Sequence, residues 1–134
     1  MEEQQSQPNG KKILIIEDEQ FISELYVRSL TKAGYEVKVV VDGQEALATA
    51  QTNTYDIILL DIMLPNITGT EILTRLRNKQ ETPQLKAKII ITTNLEVDEQ
   101  HRMAMESQAD GYIVKAEITP KELVSYLDQI QLNN

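Results

Sequence analysis

The sequence predicts an α/β fold, a parallel sheet with helices on both faces. Three observations carry that prediction. Five apolar runs of strand length alternate with five segments of helical spacing over 134 residues. The runs at 13–16, 57–60 and 89–91 are continuously aliphatic, a pattern that suits strands buried on both faces. Each of four runs ends on polar groups: Glu17 and Asp18, then Asp61, then Thr93, then Lys115. Right-handed crossovers bring the C-terminal ends of parallel strands to one rim, so these groups converge. The length suits one domain with a real core.

Residues 1–10 are polar, with Pro8 and Gly10 and nothing to bury, and read as a disordered tail before a domain spanning 11–132. Lys11 and Lys12 open the first strand. Phe21, Ile22, Leu25, Leu30 and Ala33 then recur at near-helical spacing up to Gly34, a good helix C-cap. Residues 35–41 form a second, partly alternating strand, nearer the sheet edge. Asp42-Gly43 turns into a helix carrying Ala46, Leu47 and Ala50, and the third strand follows, ending on Asp61.

After Pro65 and Gly69 a helix over 70–79 buries Ile72, Leu73 and Leu76, and Thr82-Pro83 breaks the pattern. The fourth strand covers 88–93. A helix from about 97 to 108 leads to a short fifth strand at 112–114. Thr119, Pro120 and Glu122 are the N-cap, the first helical position and the acid of a capping box. The last helix turns Leu123, Val124, Leu127 and Ile130 inward. Met103 and Met105 lie two apart, roughly 200° around a helix axis, so one of them faces solvent.

Thirteen Lys and Arg against 21 Asp and Glu leave a net charge of -8. That balance argues against direct nucleic-acid binding or attachment to an anionic membrane. Cysteine is absent, which removes thiolate and disulfide chemistry. The sequence shows neither a membrane-length apolar run nor a basic-then-apolar leader, so a cytoplasmic location is expected. A glycine-rich phosphate loop is also missing. His101, the one histidine, reads as a surface residue.

Three carboxylates at one rim, Glu17, Asp18 and Asp61, repel one another, and a hard divalent cation relieves the repulsion. Magnesium suits such an oxygen cluster while leaving room for water and phosphate. A lysine and a hydroxyl opposite, Lys115 and Thr93, supply the counter-charge and hydrogen bond that phosphoryl oxygens need. A carboxylate held there can serve as a nucleophile and become an aspartyl phosphate. Taken singly, Asp61 reads equally well as a helix cap, Lys115 as surface charge and Thr93 as a cap. Their coincidence at successive strand ends favours the site.

Four motifs sharpen this: 13–19 (Ile-Leu-Ile-Ile-Glu-Asp-Glu), 61–69 (Asp-Ile-Met-Leu-Pro-Asn-Ile-Thr-Gly), 90–93 (Ile-Ile-Thr-Thr) and 111–115 (Gly-Tyr-Ile-Val-Lys). With them the chain resembles the receiver domain of a two-component response regulator from about Lys11 to Leu132. The resemblance implies a flavodoxin-like five-stranded sheet of order 2-1-3-4-5 in a three-layer sandwich. It implies that Asp61 accepts a phosphoryl group from phosphohistidine on a sensor histidine kinase or a histidine phosphotransfer protein. It implies magnesium held by Asp18, Asp61 and the Met63 carbonyl, with Glu17 acting through water. Lys115 and Thr93 would bind the phosphoryl oxygens, Thr93 moving inward on phosphorylation with Tyr112 swinging after it. The downstream target would be met on the face of the fourth helix, fifth strand and fifth helix.

Two positions depart from the family pattern. Asn94 follows the threonine where a small alanine is common, and either crowds the site or adds a hydrogen bond. Ala116 follows the lysine where a cis proline is usual, and a trans Lys115–Ala116 bond is expected. The implied approach of a hydrolytic water is flanked by Met63 and Leu95, both bulky and apolar, so self-dephosphorylation is expected to be slow. Two rivals remain. An aspartate-nucleophile phosphohydrolase lacks its second acid, since Met63 stands two residues after Asp61, and a docking module would retain the site as a relic. With the sequence ending two residues past Leu132, a receiver without an output domain is expected, acting through protein binding or phosphate relay.

Overall fold

The computed structural model of the chain describes residues 9–64, 67–94 and 99–130. Its five strands are β1 (Lys12–Ile16), β2 (Glu36–Val40), β3 (Ile57–Asp61), β4 (Lys88–Thr93) and β5 (Gly111–Val114). They pair in parallel in the order β2-β1-β3-β4-β5, the order the resemblance implies. Five helices intervene: α1 (Gln20–Lys32), α2 (Gly43–Ala50), α3 (Gly69–Arg77), α4 (Glu99–Glu106) and α5 (Pro120–Asp128). Asn9, placed in the polar tail by its composition, is tied to the domain by its N–H, which donates to the Gly34 carbonyl at 3.0 Å.

Alternation along the buried strands divides the core in two. Leu14, Ile16, Ile58, Leu60, Ile89 and Ile91 point to the side of Ala46, Leu47, Ile72, Leu73 and Leu76 from α2 and α3. Ile13, Ile15, Ile57, Leu59, Ile90 and Ile113 point to the side of Tyr26, Leu30, Leu123 and Leu127 from α1 and α5. The sheet is therefore the middle of three layers. Continuous aliphatic runs arise because each successive side chain has a helix layer to meet.

Local signals set the helix starts. The Asp42 side chain accepts from Glu45 N–H at 3.0 Å to cap α2. Thr68 caps α3, which starts one residue before the expected Thr70, and Thr119 with Glu122 closes a full capping box on α5.

Of the apolar residues at near-helical spacing in α1, Phe21 is not part of the core: it is 72% exposed. The buried stripe of α1 is Ser23, Tyr26 and Leu30, at spacings of three and four, and Phe21 faces the other way. The methionine pair divides as its spacing requires: Met103 is exposed while Met105 packs against the core. Val97, placed at the start of the fourth helix, lies outside the described residues.

Candidate functional site

The sheet order fixes the centre of the rim. β3 lies between β1 and β4, so Asp61, its last residue, is flanked by the ends of both neighbours. Beyond it the Met63 N–H folds back and donates to Asp61 Oδ1 at 3.0 Å, while Ile62 N–H donates to the Thr92 carbonyl at 3.3 Å. The first residue of α3 is packed directly against this strand end. Gly69 N–H donates to the Ile62 carbonyl at 2.9 Å, and a Cβ at Gly69 would collide with the Asp61 carbonyl oxygen. Glycine is present because nothing larger fits between α3 and the end of β3.

Lys115 enters from the opposite side. Its Nζ stands 3.2 Å from Asp61 Oδ2, 2.5 Å from Glu17 Oε1 and 3.6 Å from Glu19 Oε1. Among the described residues no peptide bond is cis, so Lys115–Ala116 is trans as expected. A single 3-10 turn, Lys115–Glu117, carries the chain away from β5. Lys115 and Glu17 are both buried, and Asp61 exposes only 3% of its surface.

The charges do not balance. Burial pushes the Glu17 carboxyl up to about 7; contact with Lys115 opposes this and the charge of Asp61 adds to it. Burial alone would lower the Lys115 pKa, but the Glu17 and Asp61 carboxylates outweigh it and keep the ammonium charged. Glu17 Oε1 and Lys115 Nζ sit within ion-pair distance, yet neither has a well-aligned hydrogen bond. Glu17, Asp18 and Asp61 can also bring one carboxylate oxygen each within 4.8 Å of the others. Asp18 is exposed, which leaves that side open to solvent. An all-oxygen cluster with an open face fits a hard, partly hydrated divalent cation.

The other expected site residues fall around this cluster. Thr93 is buried at the end of β4, in register with Val114. Met63 is 57% exposed beside the site. Tyr112 is buried against the α2–α3 side of the core, and the Arg102 guanidinium lies 4.8 Å from its ring centroid. Leu95, paired with Met63 in the sequence reading, lies outside the described residues, as do Pro65 and Asn66 of the 61–69 motif. Two further residues join the site: Glu19, which had no role in the sequence reading, and Asn94, which makes the hydrogen bond that was one of its two expected effects. Glu19 contributes a third carboxylate near Lys115, and Asn94 Nδ2 donates to Glu19 Oε1 at 3.0 Å.

Comparison with known proteins bears on the family and the fold. Residues 13–128 match the family profile described as the response regulator receiver domain. The response regulator ArlR of Staphylococcus saprophyticus is 43% identical over 105 residues, which cover 78% of this chain and 45% of that protein. The chain therefore spans less than half the length of that curated relative. Among solved structures, the chemotaxis protein CheY4 of Vibrio cholerae is 30% identical with a TM-score of 0.76, covering 90% of this chain and 98% of that one. The response regulator TrrA of Thermotoga maritima, solved in complex with Mg(2+)-BeF, is 34% identical with a TM-score of 0.73, covering 89% and 97%.

Proposed function

The chain belongs to the response regulator receiver family, and from that premise we propose that it is a phosphoacceptor switch whose reacting group is Asp61. The observation that carries this is Asp61 at the end of the central strand, with Lys115 Nζ 3.2 Å away and two further carboxylates close enough to share a cation. In the proposed step an Asp61 oxygen attacks the phosphorus of a phosphohistidine on a partner kinase or phosphotransfer protein. The phosphorus–nitrogen bond breaks, an oxygen–phosphorus bond forms, and the imidazole leaves with the electron pair. Lys115 holds the phosphoryl oxygens by charge and Thr93 by its hydroxyl. Asp18, Asp61, Glu17 and the Met63 carbonyl would hold magnesium. When bound, it supplies positive charge against the developing phosphoryl charge.

The protein is thus a signalling domain that catalyses only its own phosphorylation and slow dephosphorylation. Its output is a change in protein binding or onward relay of phosphate. The exposed Met103 beside Arg102 and Tyr112 supports the α4–β5–α5 face as the contact surface, since methionine adapts to varied partners. The charge of -8 supports action away from nucleic acid and anionic membranes, in the cytoplasm. Among the described residues no helix is long and apolar enough to cross a membrane.

Incubation with acetyl phosphate and magnesium tests the reading. Stoichiometric labelling is expected in the parent, with none in Asp61→Asn and none in Asp18→Asn. Continuous turnover would instead indicate a phosphohydrolase, and an unlabelled parent would indicate a docking module.

A further inference from the structure

Because β1 and β4 lie on either side of β3, a bond from the residues beyond the end of β1 to those beyond the end of β4 spans the strand that ends on Asp61. Adjacent strands are about 4.8 Å apart, so the span is about 10 Å, within reach of two side chains. Such a bond is present: the Asn94 amide donates to Glu19 Oε1 at 3.0 Å, joining residues 75 apart in sequence. The bridge is held on the β1 side as well. Glu19 N–H donates to Glu17 Oε2 at 3.1 Å, and Glu19 Oε1 also faces Lys115 Nζ at 3.6 Å. Asp61, at the end of the strand between, is almost wholly buried, although its proposed reaction requires a phosphorus atom to reach its oxygen.

We propose that Asn94 and Glu19 form a clasp across the mouth of the phosphoacceptor pocket, and that its opening limits access of the phosphodonor to Asp61. The inference rests on the phosphoacceptor reading and adds to it a positioning residue, Asn94, at a position where an alanine has no donor to offer. The clasp ties Glu19, at the start of α1, to Asn94, just past the end of β4, so a change at either residue breaks it. Glu19 is bound from two sides, by the amide of Asn94 and by the ammonium of Lys115. A phosphoryl group arriving at Lys115 competes for that ammonium, leaving the Asn94 bond as the remaining tie on Glu19. The bond is exposed to solvent, so its effect on opening is that of an ordinary hydrogen bond, roughly three- to tenfold as a rate.

The test is a double-mutant cycle on the rate of Asp61 labelling by acetyl phosphate in saturating magnesium, with Asn94→Ala, Glu19→Ala and the double variant. Each single variant is expected to label roughly three- to tenfold faster than the parent, and the double variant no faster than the quicker single, because both changes break the same bond. Unchanged or slower labelling in the singles, or a double effect equal to the product of the two, would overturn the clasp. A second readout does not depend on labelling: solvent exchange of the Asn94 side-chain NH2 protons by NMR. Slow exchange in the parent and in Glu19→Gln, which keeps an acceptor, with fast exchange in Glu19→Ala, is expected. Equal exchange in all three removes the clasp. A parent that shows this protection yet takes no label defeats the phosphoacceptor reading, and the gating role with it.

Discussion

Replacing Gly69 by alanine sets two ordinary effects against a steric one, and the structure decides between them. Alanine is favoured over glycine in a helix by up to about 1 kcal/mol. Much of that is the same gain, about 0.4–1 kcal/mol, that comes from restricting the unfolded chain. Against it, the new Cβ collides with the Asp61 carbonyl oxygen and lies 2.5 Å from Ile62 Cα, which is 0.5 Å inside the 3.0 Å that Cβ atoms respect. These neighbours are backbone atoms of the strand end and cannot rotate aside. The Gly69–Ile62 hydrogen bond at 2.9 Å resists separation of the two segments.

Overpacking of this kind costs about 1–3 kcal/mol, and straining the hydrogen bond adds about 1 kcal/mol. The clash wins. Net destabilisation of about 1–3 kcal/mol is expected, a fall in Tm of about 3–10 °C for a chain of this size. Gly111→Ala is the comparison, because there the nearest atom is the hydroxyl tip of the Tyr126 side chain, which can swing away. Thermal and urea melts of both variants are the assay. Gly69→Ala should lose clearly more stability than Gly111→Ala, and its labelling at Asp61 should fall as the strand end shifts. A Gly69→Ala protein as stable as the parent would refute the argument that α3 is packed hard against the phosphoacceptor.

The remaining predictions concern charge and hydrolysis. The Glu17 carboxyl titrates near 7 in the folded chain against 4.5 as its ordinary value, so the folded state holds a proton that the unfolded state has released. The stability contributed by Glu17 is therefore full below about pH 4.5 and is lost as pH rises towards 7. In the metal-free protein the urea midpoint should fall over that range relative to Glu17→Gln, and parallel pH profiles would contradict it. Met63→Asn places a water-orienting group beside the site and should speed loss of phosphate several-fold, short of the roughly 10²-fold of a positioned general base. Decay at the parent's rate would show that Met63 does not restrict the water.

The sheet was readable because both faces of its middle strands are covered. Uninterrupted runs such as 57–60 mark strands covered on both faces, and the acids, hydroxyls and lysine that end those runs mark the rim. Capping chemistry at Thr119 is local, so it too was visible. The inward face of α1 was not legible from hydrophobicity alone: Ser23, a small polar residue, is buried while Phe21 is exposed. The clasp was hidden for a different reason. Glu19 and Asn94 meet only because the sheet order brings distant strand ends together, and no spacing along the chain records that contact. The contact between Glu17 and Lys115 was likewise not legible, because it depends on the path of the lysine side chain.

The α4 helix, in contrast to α1, α2, α3 and α5, has no buried residue, with Met105 half-buried against the core and Arg102 laid over Tyr112. Such a segment is a cooperative unit of its own, able to detach at a free-energy cost well below that of unfolding the domain. Amide hydrogen exchange through α4 should accordingly be faster than through β1 or β3, whose side chains are sealed in. In the proposed function, a single covalent event at the rim supplies only a few kcal/mol for conformational work. Such a sum is too small to move the sealed sheet, but it is commensurate with re-seating a helix held this lightly, and that difference in local cost gives the signal a direction through the molecule.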